Sequence, residues 1–396
     1  MAASVSRLCH VAFHVPRGQG LASDLVTKFR FRPVAVRETA RARQLAVCKG
    51  AAVFVVNERR EAAPCSGPTW PSPGPGASDF LYDVDPAYAV STACNVCFEL
   101  EDIPGVSRRL QDRGCRLAVP PTEVTDADGS VTYSVVRSIV GNVSHTLLDR
   151  SRYRGPFLPG FHAVTAAPEG PPDGAEITHV DHITYACPRG SARTVLDWYE
   201  SCFGFRRFLL HGAEDAGEGY VIRGRGVGLR LMALQGGRAE RARPTDGCKL
   251  VLAESLPEQG QNQVDTFLEQ HGGAGVQHIG LYTTDIVSTA QTLAAAGVQF
   301  VEPPRTYYSE AGKTEEIQGA GQDPGALARH GILLDAELAG ESPSARRYLM
   351  QIFTKPFFPE ETFFLELIER RGASGFGEGN IRALWKSVQG YMDRQR

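Results

Sequence analysis

The 396-residue sequence predicts an α+β protein built from four copies of one strand–helix–strands unit, arranged as two halves. Three observations carry this. The segment STACNVCFELEDIPGVSRRLQDRGCRLAVPP (91–121) superposes without a gap on AGVQHIGLYTTDIVSTAQTLAAAGVQFVEPP (274–304). LCHVAFHVPRG (8–18) matches VDHITYACPRG (180–190) more loosely, and both run through a helix to FRFR (29–32) and FGFR (203–206). Between the halves lies AAPEGPPDGAE (166–176), a linker rich in proline, glycine and acid. The expected domains are therefore 1–165 and 177–396, joined by 166–176, with CSGPTWPSPGPGAS (65–78) a surface loop inserted in the first half.

Each unit is justified by its periodicity. VQHIGLYTTDI (276–286) alternates apolar residues as a strand does, then opens a helix. In both copies of the long repeat an Asp-Ile pair lies seven residues after Asn95 or His278, as Asp102-Ile103 and Asp285-Ile286. The segment that follows has period 3.6. It ends at Gly114 or Gly297, where a left-handed cap would stop a helix.

Composition excludes several classes. A net charge of −3 without a basic block gives no electrostatic case for nucleic acid. No apolar run approaches the ~20 residues that span a bilayer. Nine cysteines, scattered singly, indicate a reducing compartment rather than a disulfide framework. The CxxC at Cys94 and Cys97 lies in the alternating run CNVCFEL and reads as buried strand. The amino terminus carries Arg7 and Arg17 and no acid before Asp24, which suits a mitochondrial import signal; a cytoplasmic location is the alternative. Deep cleavage is not expected, because RLCHVAFHV already reads as the first strand. RGRGVG (223–228) precedes the strand LRLMAL rather than a helix, so it is no phosphate cradle, and GxSxG, P-loop and HExxH motifs are absent.

His182 and His278 open the third and fourth units at equivalent strand positions. In TFFLELIERRG (362–372) Glu366 interrupts an apolar strand, and a carboxylate there costs several kcal/mol without a cation or metal. Two histidines and one carboxylate from three strands form the facial triad of a non-haem iron(II) oxygenase, with three positions open. The matching first-half positions are His10, Asn95 and about Thr146, a poor metal set, so that half reads as a copy that lost its site. His14 and His145 are not expected as ligands, and His179 lies three residues off the register of His182.

GGAGVQH (272–278), YLMQIFTKP (348–356), FFLELIERRG (363–372) and GFGEGN (375–380) resemble the 4-hydroxyphenylpyruvate dioxygenase family, and SHTLLDRSRYRGPFLPGF (144–161) is similar to the close of its first domain. The resemblance implies the vicinal-oxygen-chelate fold: four βαβββ modules paired into two open barrel-like domains, with a carboxyl-terminal lid helix at about IRALWKSVQGYM. It implies one Fe(II) per chain on His182, His278 and Glu366. It places Gln263, Gln277 and Gln351 along the pocket, Phe353 and Phe364 against the aromatic ring, and Phe376 and Asn380 at the start of the lid. The implied partners are dioxygen and an aryl-pyruvate whose own 2-oxo acid chelates the metal. Two polar pocket residues of the family fall at Leu231 and Ala253, and its GNF is here Gly379-Asn380-Ile381. In related hydroxymandelate synthases the last position is aliphatic. A smaller residue there gives the ring room to rotate, so oxidation of 4-hydroxyphenylpyruvate at its benzylic carbon, to 4-hydroxymandelate, is the expected reaction. Homogentisate formation is the alternative, and a non-enzymatic binding or regulatory module the second. Oligomeric state stays open, a homodimer being one expectation.

Overall fold

The computed structural model describes residues 7–16, 20–60, 78–164, 174–209, 214–215, 217–224, 227–236, 247–256, 261–309, 312–337, 347–373, 375–377 and 380–381. The loop at 65–77, most of the linker and the expected lid helix beyond Ile381 lie outside these residues.

The first half contains two modules. The first is β1 (Arg7–Pro16), α1 (Leu21–Thr27), β2 (Arg32–Glu38), β3 (Ala42–Lys49) and β4 (Ala52–Arg59). The second is β5 (Thr92–Glu99), α2 (Ile103–Asp112), β6 (Leu117–Asp126), β7 (Gly129–Arg137) and β8 (Ser144–Asp149), after which β9 (His162–Ala163) returns to pair with β2. The third module adds one hairpin strand: β10 (Ile177–Cys187), α3 (Ala192–Phe203), β11 (Arg206–Phe208), β12 (Tyr220–Gly224), β13 (Val227–Gln235) and β14 (Lys249–Ser255). Helix α4 (Gln263–His271) leads to the fourth: β15 (Gly275–Thr283), α5 (Ile286–Ala295), three short helices α6 (Thr306–Ser309), α7 (Lys313–Gly319) and α8 (Pro324–His330), then β16 (Leu333–Glu337), β17 (Arg347–Phe353) and β18 (Phe364–Arg371).

The strands form two curled, open sheets of the vicinal-oxygen-chelate type. Their orders are β6-β7-β8-β5-β1-β4-β3-β2-β9 and β11-β13-β14-β10-β15-β18-β17-β16, with β12 on β13. The repeated sequence signals have local causes. Asp102 caps α2 by accepting from Gly105 N, and Asp285 caps α5 by accepting from Ser288 N at 3.0 Å. The isoleucine after each is buried. Gly114 and Gly297 adopt φ +81° and +95°, the left-handed conformation that ends both helices.

The halves share one core. Phe13 meets Phe363 edge-on at 5.1 Å between ring centroids, and Phe29 meets Phe357 at 5.5 Å. Each buried Phe contributes roughly 1.5–3 kcal/mol. Across the same junction His145 Nε2 and Tyr199 Oη lie 2.7 Å apart. Separate clusters fill the two hollows: Ala12, Val55, Cys97, Tyr133 and Phe157 in the first, Leu231, Ala253, Phe267 and Phe376 in the second.

The pairing contains irregularities that the two halves repeat. Between β1 and β5, Leu8 pairs with Phe98 and His10 with Cys97, leaving Cys9 as a bulged residue; Cys94 is bulged between Ala93 and Asn95. Between β10 and β15 the same places are held by Asp181 and Gln277. A bulge turns an extra side chain toward the side its neighbour faces.

Candidate metal centre

His182, His278 and Glu366 stand on β10, β15 and β18, three adjacent strands at the middle of the second sheet. The register explains their convergence. His182 pairs with Gly280, Gly280 with Glu366, and His278 sits two residues from Gly280 on the same face of β15. Because Gly280 has no side chain, the flanking imidazole and carboxylate can lean over it. A Cβ there would fall 2.5 Å from His182 Nδ1 and 3.0 Å from Nε2.

The donor separations are 3.2 Å from His182 Nε2 to Glu366 Oε2, 3.5 Å from His278 Nε2 to the same oxygen, and 3.4 Å between the two Nε2 atoms. Ligands about 2.1 Å from one ion are about 3.0 Å apart at right angles and about 4.2 Å apart when opposite. All three spacings belong to the first kind, so the set is facial and fits an iron(II) ion with one hemisphere left open.

Neighbours fix each ligand. Nδ1–H of His182 donates to Asp181 Oδ1 at 3.0 Å, and that of His278 to Gln277 Oε1 at 3.3 Å, which leaves both Nε2 lone pairs facing the common point. Gln351 Nε2 donates to Glu366 Oε1 at 2.7 Å, and its own Oε1 accepts from Asn380 Nδ2 at 2.9 Å. Tyr307 donates to Asn380 Oδ1 at 2.9 Å. Arg370 holds Asp181 with two bonds of 2.8 and 2.9 Å, and Lys249 Nζ lies 3.8 Å from the same carboxylate. Burial raises the Asp181 pKa, but Arg370, His182 and Lys249 outweigh it and hold the carboxyl well below its usual range. Burial lowers His182, yet Glu366 and Asp181 lift it above its ordinary value; burial and the His182 charge hold His278 well below.

The other residues singled out in the sequence divide by place. Phe364 stacks on His278 at 4.7 Å, with Phe353 at 6.2 Å from it, and Phe376 meets His182 edge-on at 4.9 Å. Leu231 pairs with Ala253, and both join Phe376 and Ile381 in the apolar cluster of the second hollow. Gln351 and Asn380 are buried and bonded behind Glu366 rather than free toward the opening. Gln263 opens α4, half-buried, and is not among the side chains bonded to the triad. His179 stacks on Tyr282, His14 bonds to Asp83, and His145 lies at the junction of the halves; none joins the cluster.

Sequence reasoning passed over Asp181, Arg370 and Lys249. Arg370 carried a signal, since it follows Glu366 by four residues and shares its face of the strand. Asp181 and Lys249 carried none, because a bulge and a cross-strand pairing place them.

The Glyoxalase/Bleomycin resistance protein/Dioxygenase superfamily profile matches residues 179–325. The chain is 48% identical over 394 residues to the 4-hydroxyphenylpyruvate dioxygenase-like protein of Mus musculus, covering 98% of each, and 48% identical over 393 residues to that of Homo sapiens. It is 32% identical over 305 residues to 4-hydroxyphenylpyruvate dioxygenase of Pyricularia oryzae, covering 74% of this chain and 67% of that one. The chain belongs to the 4-hydroxyphenylpyruvate dioxygenase family. A mutant 4-hydroxymandelate synthase from Streptomyces coelicolor shares the fold of this family member, with a TM-score of 0.75 at 22% identity over 98% of this chain and 99% of that one.

Proposed function

We propose that the chain is an Fe(II)-dependent dioxygenase that takes 4-hydroxyphenylpyruvate to 4-hydroxymandelate. The observation that carries the reading is the facial set of His182, His278 and Glu366, intact in a member of this family. The bound metal supplies a chelating face for the 2-oxo acid and activates dioxygen. The balance is simple: the original carboxyl leaves as carbon dioxide, one oxygen atom enters the new carboxylate, and the other hydroxylates the benzylic carbon.

The protein's share is positioning. Asp181 and Gln277 aim the imidazoles, Gln351 orients the carboxylate, and Phe364 and Phe353 offer aromatic walls on the His278 side. Leu231, Ala253 and Ile381 make the facing wall apolar. That wall offers the substrate ring no hydrogen bond and leaves it free to turn its side-chain CH2 toward the open positions. A misplacement of about an ångström changes rates by about 100-fold, so such a wall can select between benzylic and ring attack. We place the reaction in mitochondria; import of the full chain with β1 retained is the corresponding outcome, since β1 pairs with both β4 and β5 at the middle of its sheet.

Product analysis under air, on wild type and Ile381→Phe, tests the reading. 4-Hydroxymandelate from wild type, with a share of homogentisate appearing in the variant, is expected. Homogentisate as the main wild-type product would overturn the benzylic assignment. No turnover of any aryl-pyruvate would favour a binding module.

A further inference from the structure

We propose that Cys9, His10 and Cys97 form a second metal site, in the first half, which binds a soft divalent cation of the zinc class. This site is separate from the iron centre and from any reaction there. Its basis is the bulge at Cys9. His10 pairs with Cys97, and the extra residue Cys9 is turned so that all three side chains meet. Cys9 Sγ lies 3.4 Å from His10 Nδ1, and the two sulfurs and the imidazole nitrogen lie within 4.8 Å of one another.

The distances suit the ion. Zinc binds thiolate at about 2.3 Å and imidazole at about 2.1 Å, so tetrahedral angles put sulfur and nitrogen about 3.6 Å apart and the sulfurs about 3.8 Å apart. Movement of about an ångström closes the set. His10 and Cys97 are buried and Cys9 half-buried, and two thiolates neutralise a divalent charge without a further counter-ion. Thiolate with imidazole selects zinc over iron(II), calcium or magnesium.

The repeat shows what changed between the halves. The second half has Asp181, His182 and Gly280 at the positions of Cys9, His10 and Cys97. There the missing side chain of Gly280 frees the imidazole to reach across to Glu366. Here Cys97 fills the equivalent place, and Thr146, at the position that corresponds to Glu366, accepts from Asn95 and donates to the Tyr82 carbonyl. The first half thus exchanged a hard carboxylate set for a soft thiolate set one register step away. His10 also lines a hollow with Tyr82, Asp83 and Phe157.

The test uses the full chain, purified reduced, as wild type and as Glu366→Ala to disable the iron centre. Cobalt(II) serves as the spectroscopic probe and zinc as competitor. One equivalent of zinc retained by Glu366→Ala, and a thiolate-to-cobalt charge-transfer absorption, are expected. Cys9→Ala should abolish that absorption and weaken zinc binding by on the order of 100-fold or more. Cys97→Ser should do the same; if it fails to fold, Cys9→Ala, at the half-buried position, decides. Unchanged zinc affinity on adding Cys9→Ala to folded Glu366→Ala would overturn the proposal, as would full reactivity of both thiols with zinc present.

Discussion

Gly280→Ala is the smallest change that should disable the metal centre while leaving the fold intact. The new Cβ would sit 2.5 Å from His182 Nδ1 and 3.0 Å from Nε2, whereas carbon contacts ordinarily begin near about 3.5 Å. The ring must therefore retreat by about an ångström. It cannot do so freely, because Nδ1 is tied to Asp181 and Asp181 is clamped by Arg370. Either the Asp181 bond breaks or Nε2 leaves its place 3.2 Å from Glu366. Losing an orienting partner of a metal-bound imidazole typically costs 10–100-fold in affinity, or about 1.4–2.7 kcal/mol. Gly280 does not have positive φ, so alanine brings no backbone strain. Anaerobic titration with Fe(II), alongside thermal melting, measures both quantities. A 10–100-fold weaker metal site in a chain that melts near wild type is expected. Wild-type affinity in Gly280→Ala would refute the claim that the bare glycine makes room for the ligand.

Gln351→Leu removes the donor to Glu366 Oε1 and strands the Asn380 amide, so metal affinity should fall about 10-fold or more; unchanged affinity would show that the Gln351 bond is incidental. Burial pushes the His145 pKa down to about 4, so the unfolded chain binds the proton first as pH falls. Stability from this group is complete above about pH 6.5 and declines toward pH 4, by up to roughly 3 kcal/mol. In denaturant melts His145→Phe should flatten that slope, and an unaltered slope would contradict the assignment. Asp83 is buried against His14, Asn57 and Asn95 in the first half, and Asp83→Leu should cost about 3–5 kcal/mol by leaving three polar partners unmatched. A loss below about 1 kcal/mol would mean that this network is satisfied otherwise.

What the sequence made legible is what repeats or breaks a local pattern. The gapless match of 91–121 with 274–304 exposed the modules, and its Asp-Ile pairs proved to be helix caps followed by buried isoleucines. His182, His278 and Glu366 stood out because polar residues at core positions interrupt an apolar alternation. The bulges at Cys9, Cys94, Asp181 and Gln277 were not legible, since each is defined by pairing with a strand some 90 residues away. For the same reason Cys97 read only as half of a CxxC, while its true neighbours are Cys9 and His10. The bond from Asn380 through Gln351 to Glu366 joins three segments that only the tertiary fold brings together. Among the described residues the helices α6 to α8 interrupt the fourth module alone, so the repeat gave no signal for them.

The decisive measurement is oxygen consumption dependent on 4-hydroxyphenylpyruvate, on wild type and Glu366→Ala carried through the same anaerobic iron loading. Wild type should take up oxygen in stoichiometry with carbon dioxide release, and the variant should lose both the uptake and the iron. Equal uptake by both chains, or none by an iron-replete wild type, would contradict the proposed dioxygenase activity.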